Sequence, residues 1–232
     1  MMLFLLATML AQQAASPIGR IQNQVLPVPG VGTITYGISV PNDYRPGEPR
    51  PLILALHPGG ARSAYYGSAF MRQVVLPGLG DLGAIVVAPD SPETPWTDPM
   101  ADRAVMALLR KVQDEYAIDP RRVLVTGFSM GGRGAWFMAS RHPDEFTAAI
   151  PMAASTGGEP LGGLATMPTY VIHSRDDQVV PFGPAEQTAR ELEQLGRVIR
   201  FEALRGIGHY EMGGYIDALA AAGRWIAERW GK

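Results

Sequence analysis

A serine flanked by glycines is the residue of this chain best suited to nucleophilic chemistry. Ser129 lies in the pentapeptide GFSMG at residues 127–131, between the apolar run 123–125 and a helix-like stretch at 133–141. A serine on a strand-to-helix turn has a strained backbone, and a bulky side chain two residues before or after it would collide with neighbouring elements. Glycine removes both collisions. The pattern predicts a nucleophile elbow, with the positive end of the following helix directed at Ser129.

The hydroxyl of Ser129 requires a general base, because it is a weak nucleophile at neutral pH. Of the four histidines, His209 follows Gly-Ile-Gly on the loop between the last predicted strand and the last predicted helix. His57 and His173 each end a strand, and we interpret them as a turn-shaping and a core residue. His142 follows the predicted elbow helix and is interpreted as a solvated or capping residue. His209 is therefore the predicted base.

The carboxylate that orients the base is predicted on the loop after the penultimate strand. Asp176 and Asp177 are adjacent there, and only one of them can face the imidazole. We favour Asp177, because residues 179–181 fix the loop after it, whereas Asp176 is expected to cap the turn or to pair with Arg175. The resulting chain order of serine, aspartate and histidine differs from the orders in trypsin-like and subtilisin-like enzymes.

Two N–H groups are needed to stabilise the oxyanion that forms when a serine attacks a carbonyl group. One is predicted to be the backbone N–H of Met130, and the other to come from the loop after an early apolar strand. Pro58 lies in that loop but has no N–H. The second donor therefore falls to Gly59, Gly60 or Ala61, where glycine allows close approach of the backbone to a ligand.

Composition excludes several other classes of protein. At 232 residues, with 47% hydrophobic and 18% charged residues, the chain is expected to bury one core and form one domain. A net charge of -2 without a basic cluster argues against a nucleic-acid partner. The absence of cysteine excludes disulfides, thiolate catalysis and cysteine metal sites. No His-Glu-x-x-His motif and no glycine-rich phosphate loop is present, so neither a metal nor an organic cofactor is expected.

The N-terminus predicts export. Residues 3–10 are apolar and are followed by small residues at 11–16, as in a signal peptide, and the run is too short to span a bilayer. We expect residues 1–16 to be a signal peptide, with the mature chain beginning between 12 and 17 and a secreted or periplasmic product. The segment before the apolar run has no Lys or Arg. An uncleaved extension on a cytoplasmic protein therefore stays open.

The remainder of the chain alternates between strands and helices. Strands are predicted at residues 33–40, 52–56, 84–88, 122–126, 148–152, 169–173 and 199–204, and helices at 98–116, 133–141, 184–195 and 210–230. Continuously apolar strands separated by helices predict an α/β fold with a mostly parallel central sheet and helices on both faces. Residues 17–232 are thus expected to form one catalytic domain.

Several segments together resemble the α/β-hydrolase superfamily, from about residue 33 to the C-terminus. They are His57-Pro58-Gly59-Gly60, Ala88-Pro89-Asp90-Ser91-Pro92-Glu93 with Trp96, Asp119-Pro120-Arg121-Arg122-Val123, Gly127-Phe128-Ser129-Met130-Gly131-Gly132, His142-Pro143-Asp144-Glu145-Phe146, the Asp177 loop and Gly208-His209. They are most similar to small esterases and peptidases of the prolyl-oligopeptidase-like, feruloyl-esterase-like and dienelactone-hydrolase-like branches. Pro58 stands where the oxyanion motif usually has glycine. Serine replaces the cysteine of dienelactone hydrolases proper, which counts against their particular reaction.

The resemblance implies hydrolysis of carboxylic esters by Ser129, His209 and Asp177. Lids in this superfamily often follow the strand after the elbow helix, but residues 153–168 leave no room for a large cap. An open cleft suits a small-molecule or polymer-attached ester, such as a feruloyl ester, an acetylated polysaccharide or an aromatic polyester. The aromatic residues expected beside the cleft are Trp96, Tyr65, Tyr66 and Phe182.

Two other functions stay open at this stage. A serine peptidase acting on short peptides would use the same catalytic residues, although the chain has no appended propeller domain to select small peptides. A non-catalytic module that binds a carbohydrate or a protein partner would keep the fold. The intact set of serine, aspartate and histidine argues against the latter.

Overall fold

The computed structural model describes residues 18–60, 63–164 and 166–231. The predicted signal peptide at 1–16 lies outside these ranges. The strands are β1 (Ile21–Val28), β2 (Gly32–Ser39), β3 (Arg50–Leu56), β4 (Ile85–Pro89), β5 (Ile118–Phe128), β6 (Ala148–Met152), β7 (Thr169–Ser174) and β8 (Ile199–Leu204). The helices are α1 (Tyr66–Phe70), α2 (Leu76–Leu79), α3 (Pro99–Glu115), α4 (Met130–Arg141), α5 (Phe182–Gln194) and α6 (Ile216–Trp230). Among the described residues, none of the helices is long and apolar enough to cross a membrane.

The strands form one eight-stranded sheet in the order β1-β2-β4-β3-β5-β6-β7-β8. β1 pairs with β2 and β2 with β4 in antiparallel register, and every other neighbouring pair is parallel. This arrangement confirms the predicted α/β fold with a mostly parallel sheet. Long crossovers are required between parallel neighbours, and helices supply them.

A hydrophobic core covers each face of the sheet. Along β3, Leu52, Leu54 and Leu56 pack on the face covered by α3, α4 and α5, whereas Ile53 and Ala55 pack on the face covered by α1, α2 and α6. Successive side chains of a strand point to opposite faces, so a strand buried on both sides must be apolar at every position. This explains why the central strands are continuous apolar runs in the sequence.

Two elements lie where the sequence predicted none. β1 is an edge strand whose side chains are mostly half-buried or exposed, so it lacks an apolar pattern. The segment from α1 to α2 is helical in short pieces joined by a π-helical turn, Met71–Val75, and its proline and glycines obscure the helical period. The prediction that the last helix begins at residue 210 is wrong. A 3₁₀ turn, Met212–Tyr215, contains two glycines and separates the preceding loop from α6.

The sheet brings four loops to one edge. β3, β5, β7 and β8 are parallel, and the loops after their carboxyl ends carry the glycines, the serine, the aspartate and the histidine singled out above. The connection between β6 and β7 contains one short 3₁₀ turn, Leu161–Leu164, in its described part. No large cap covers this edge in the part of the chain that the structure describes.

Candidate active site

Ser129 lies at the sharp turn between β5 and α4. Its backbone has φ 53° and ψ −115°, a conformation that costs a residue with a side chain of the order of 1–3 kcal/mol. Two backbone hydrogen bonds hold it there. The N–H of Ser129 donates to the carbonyl of Met152 at 2.9 Å, and its own carbonyl accepts from the N–H of Arg133 at 2.9 Å. The surrounding fold thus maintains a turn that is unfavourable by itself.

The glycines of the elbow are required by close backbone contacts. A Cβ atom at Gly131 would lie 1.8 Å from the carbonyl oxygen of Leu56 in β3. One at Gly127 would lie 2.2 Å from the carbonyl oxygen of Gly131. Both distances are far inside van der Waals contact, so α4 can start beside the sheet only if these positions are glycine. These are the collisions that the sequence pattern predicts.

The side chains of Ser129, His209 and Asp177 form one hydrogen-bonded chain. Nε2 of His209 lies 2.9 Å from Oγ of Ser129, and Nδ1 of His209 lies 2.7 Å from Oδ2 of Asp177. An ionised carboxylate only accepts hydrogen bonds, so Nδ1 carries a proton and donates a hydrogen bond to Asp177. Nε2 is then an acceptor for the hydroxyl of Ser129, which is the orientation that a general base requires.

The side chain of Asp177 is fully buried, yet its hydrogen bonds favour the ionised form. Its Oδ1 atom accepts the N–H groups of Val179 at 2.9 Å and Val180 at 2.8 Å. Burial alone would raise the pKa of Asp177, but the hydrogen bonds from His209 and from these two N–H groups outweigh it and lower the pKa below its ordinary value. The residues after Asp177 therefore stabilise its charge as well as its position.

His173 lies on the other side of the same carboxylate. Its Nε2 atom is 3.1 Å from the carbonyl oxygen of Val180 and 3.5 Å from Oδ2 of Asp177. Burial lowers the pKa of His173, which favours a neutral ring that donates from Nε2. The structure thus places this histidine in the core, next to Asp177.

The loop that carries His209 is held by the loop that carries Asp177. The carboxylate of Asp176 accepts the N–H of Gly206 at 2.6 Å, and the side-chain oxygen of Gln178 accepts the N–H of His209 at 3.2 Å. Asp176 therefore anchors the backbone that leads to His209, while the imidazole pairs with Asp177. The alternative expectation, a pair with Arg175, is wrong, because that guanidinium pairs with Glu186 at 3.2 Å.

Gly59 and Gly60 line a cleft together with Ser129. A Cβ at Gly59 would lie 3.7 Å from the side chain of Met130, so this turn faces the start of α4. The first N–H groups of a helix have no partner inside it, and that of Met130 lies next to Ser129 in the chain. Gly60 has φ +125°, a conformation that favours glycine. Ala61 lies outside the described residues.

The side chains of His57 and His142 both have structural partners. Nδ1 of His57 donates to the carbonyl of Pro58 at 2.7 Å, and its Nε2 accepts the N–H of Ser91 at 3.1 Å. This agrees with a turn-shaping role. Nε2 of His142 lies 2.5 Å from Oδ1 of Asp102, which ties the end of α4 to α3.

The cleft above Ser129 has a volume of about 270 Å³, and Tyr66 is the only one of the four predicted aromatic residues that lines it. Trp96 is fully buried and donates from Nε1 to the carbonyl of His57 at 2.9 Å. The amide of Tyr65 donates to Asp90 at 2.7 Å, and this residue precedes α1 without lining the cleft. The expectation that Trp96 and Tyr65 bind substrate is corrected accordingly.

Phe182 also lies outside the cleft lining. It begins α5, and its ring packs against those of His173 and Phe201, with centroid distances of 5.8 and 5.4 Å. Five residues that line the cleft were missed as site residues, namely Pro58, Phe128, Val179, Tyr210 and Met212. The available indication was chain proximity, because Val179 is two residues after Asp177 and Tyr210 directly follows His209.

Metal ligands are not grouped at this site. Within residues 18–60, 63–164 and 166–231, no cluster of three or more His, Cys, Asp or Glu side chains is arranged to hold a metal ion.

Comparisons with known proteins point to one family. The profile of the family described as "Putative esterase" matches residues 32–191. A probable feruloyl esterase C of Aspergillus flavus is 28% identical over 151 residues, which cover 63% of this chain and 56% of that protein. Feruloyl esterase C of Emericella nidulans is 26% identical over 194 residues, covering 76% of this chain and 70% of the relative.

Solved structures agree on the fold. A thermostable esterase is 28% identical with a TM-score of 0.77, covering 90% of this chain and 62% of the esterase. The feruloyl esterase module from Clostridium thermocellum, in an S954A mutant complexed with sinapinate, has a TM-score of 0.71 and 16% identity, covering 89% of this chain and 88% of the module. At that identity the likeness concerns the fold alone. The chain spans 56% of the length of the first curated relatives.

Proposed function

The chain belongs to the esterase family that matches residues 32–191, and from this premise we propose that it hydrolyses carboxylic esters with Ser129, His209 and Asp177. The observation that carries the proposal is the hydrogen-bonded chain from Ser129 Oγ to His209 and on to Asp177, with distances of 2.9 and 2.7 Å. It supplies a nucleophile, a base in the required tautomer and a buried charge that stabilises the imidazolium.

In the first half of the reaction, Oγ of Ser129 attacks the ester carbonyl while Nε2 of His209 takes the hydroxyl proton. The resulting oxyanion is stabilised by the N–H of Met130 and by one N–H of the turn at Gly59 and Gly60. The imidazolium then gives its proton to the departing alkoxide. This step breaks the ester C–O bond and leaves the acyl group on Ser129.

The second half of the reaction repeats these steps with water. Nε2 of His209 takes a proton from the water as the water oxygen attacks the acyl-serine, and the same N–H groups hold the second oxyanion. Collapse of that oxyanion returns the proton to Oγ of Ser129 and releases the carboxylic acid. The enzyme is restored without a metal or an organic cofactor.

For the acyl group we propose a feruloyl or a related aromatic ester. Feruloyl esterases are among the relatives of this chain. Tyr66 lines the cleft of about 270 Å³, and the ring of an aromatic acid can pack against this side chain. The edge of the sheet has no large cap among the described residues, so the site suits esters attached to a larger molecule.

For localisation we propose that residues 1–16 are a signal peptide and that the enzyme acts outside the cytoplasm. An exported enzyme would encounter polymer-attached esters outside the cytoplasm. Mass spectrometry of the mature N-terminus tests this proposal, and an intact Met1 in protein purified from a secreted or periplasmic fraction would contradict it.

The activity is tested with methyl ferulate, p-nitrophenyl acetate and a chromogenic peptide amide, assayed side by side. Wild type and Ser129→Ala are compared with Ser140→Ala. That variant removes a hydroxyl from the last turn of α4, where it donates to the carbonyl of Phe137 at 3.1 Å. We expect ester turnover that is lost in Ser129→Ala and kept in Ser140→Ala. Preferential cleavage of the amide would instead establish a peptidase, and ester turnover that survives in Ser129→Ala would refute the mechanism.

A further inference from the structure

β8 is the last strand of the sheet, so one of its backbone edges faces away from the sheet. Among the described residues, β8 pairs with β7 alone. The N–H groups of Thr169 and Arg175 donate to the carbonyls of Val198 and Leu204, each at 2.9 Å. Peptide groups alternate in direction along a strand, so positions 198, 200, 202 and 204 face β7, and positions 199, 201 and 203 direct their N–H and C=O groups outward. An edge of this kind can pair with a further strand.

The two outer strands of the sheet differ in their capacity to pair. β1, at the opposite edge, contains Pro27, and a proline cannot donate to a ladder of hydrogen bonds. β8 reads Ile-Arg-Phe-Glu-Ala-Leu, without proline. Directly before it, the large apolar side chain of Val198 is 40% exposed. β8 is therefore the edge better suited to accept another strand.

The charges of β8 select one register for pairing with a second copy of the chain. Two copies related by a twofold axis pair antiparallel, and outward positions must face outward positions. A pair centred on position 200 would bring Arg200 against its own counterpart, and one centred on position 202 would do the same for Glu202, which is unfavourable for like charges. Centres at position 199 or 203 shorten the ladder and leave neither residue opposite a charge of the other sign. A pair centred on Phe201 instead places Arg200 opposite Glu202 of the second copy, twice by symmetry.

The other side chains of the strand fit the same register. Beyond the charge pairs, the exposed Val198 lies opposite Leu204 of the second copy, so each gains an apolar neighbour. On the face toward α5, Phe201 meets its own counterpart and Ile199 lies opposite Ala203. All four side chains within β8 are half-buried in the single chain, and cross-strand apolar and aromatic pairs stabilise a sheet. The pattern of β8 is thus complementary to itself.

We propose that β8 is an interaction surface at which two copies of the chain associate, so that their sheets join into one. The occupant is a second copy because the charged, apolar and aromatic positions all match under the same twofold axis. Charged side chains can protect an edge from pairing, but in this register the opposite charges attract. Since the two β8 strands run antiparallel, the two active-site edges face opposite directions. The inference does not depend on the proposed ester hydrolysis.

The test measures self-association by sedimentation velocity between about 1 and 200 µM protein. We expect wild type to form dimers. Arg200→Glu or Glu202→Arg should raise the dissociation constant at least about tenfold, because each places like charges opposite each other twice. An equimolar mixture of the two variants should restore dimers. The new carboxylate at position 200 of one chain then faces the new guanidinium at position 202 of the other, and Glu202 of the first chain faces Arg200 of the second.

Arg110→Glu is the matched control. It makes the same change of charge at an exposed residue of α3, which contacts β1 at the opposite edge of the sheet, and it should dimerise like wild type. Thermal unfolding checks that each variant is folded, since Glu202→Arg removes the acceptor of the Tyr170 hydroxyl. Wild type that stays monomeric over the whole range would overturn the proposal. Dimers that survive both single variants, or a mixture of the two that remains monomeric, would overturn it as well.

Discussion

Replacing each of the two adjacent carboxylates by asparagine tests which one orients His209. In Asp177, Oδ1 accepts the N–H groups of Val179 and Val180, and Oδ2 faces Nδ1 of His209 at 2.7 Å. In Asp177→Asn, the amide oxygen is expected to take the Oδ1 position, because two backbone donors point at it. The amide NH₂ group then faces Nδ1 of His209 and can only donate.

The consequence is the wrong tautomer of His209. With a donor facing Nδ1, the neutral ring carries its proton on Nε2 and cannot accept the proton of Ser129. In serine hydrolases with such a triad, the corresponding change lowers kcat about 10⁴-fold. We expect a loss of this size in Asp177→Asn, with little change in KM, because Asp177 is buried beneath the cleft and does not line it.

The matched variant is Asp176→Asn. Its Oδ2 atom accepts the N–H of Gly206 at 2.6 Å, and an amide oxygen can still accept that bond. Exchanging a charged acceptor for a neutral one weakens it by about 1 kcal/mol, so kcat should fall less than about tenfold. Both variants are assayed with methyl ferulate, and thermal unfolding checks that each is folded. A loss in Asp176→Asn that equals or exceeds the loss in Asp177→Asn would refute the assignment.

Three further predictions concern stability. Gly131→Ala places a Cβ 1.8 Å from the carbonyl oxygen of Leu56 and should lower the free energy of unfolding by about 3 kcal/mol or more. The control is Gly162→Ala, where a Cβ meets open space and should change that free energy by less than about 0.5 kcal/mol. Urea denaturation measures both values. Because hydrogen bonds lower the pKa of Asp177 in the folded state, its contribution to stability is complete above an unfolded pKa of about 3.9 and is lost as the pH falls through the folded value. Unfolding free energies between pH 6 and pH 3, in steps of about 0.5 unit, should therefore decline less steeply in Asp177→Asn than in wild type, and parallel declines would contradict this. Asp90→Ala leaves two backbone N–H groups at the start of α1 without their acceptor, so the free energy of unfolding should fall by about 2 kcal/mol. It should also raise KM for methyl ferulate, because Tyr66 lies in that turn and lines the cleft. An unchanged KM would show that the turn does not contribute to binding.

The sequence predicted the fold best where physical constraints act on local patterns. β6 has the predicted bounds, because a buried strand must be apolar at every position. β8, an edge strand, has them because its apolar residues alternate with Arg200 and Glu202. β1, the other edge strand, was missed because Gln22, Asn23 and Gln24 break its apolar pattern and Pro27 lies inside it. The helical segment between β3 and β4 was missed because Gly67, Pro77 and Gly78 interrupt its period, while tertiary packing on the sheet holds it together.

The site, like the fold, was predictable only where a physical constraint acts on the order of residues along the chain. The proximity of Ser129, Asp177 and His209 was predictable, because the carboxyl ends of parallel strands share one edge. The cleft lining was not, since it depends on side-chain directions that chain order does not encode. Trp96 points into the core to reach the carbonyl of His57, whereas Tyr210, beside His209, points into water.

The most direct test of the account is to trap the acyl-enzyme. Wild-type protein is mixed with p-nitrophenyl acetate, quenched with acid within its first turnovers and examined by intact-mass and peptide mass spectrometry, with Ser129→Ala as the control. We predict an acetyl group on Ser129 in wild type, none at this position in the control, and a burst of p-nitrophenol in wild type alone. Hydrolysis that depends on His209 but proceeds with the acetyl group on another residue, or with an equal burst in Ser129→Ala, would contradict the central claim that Ser129 is the nucleophile.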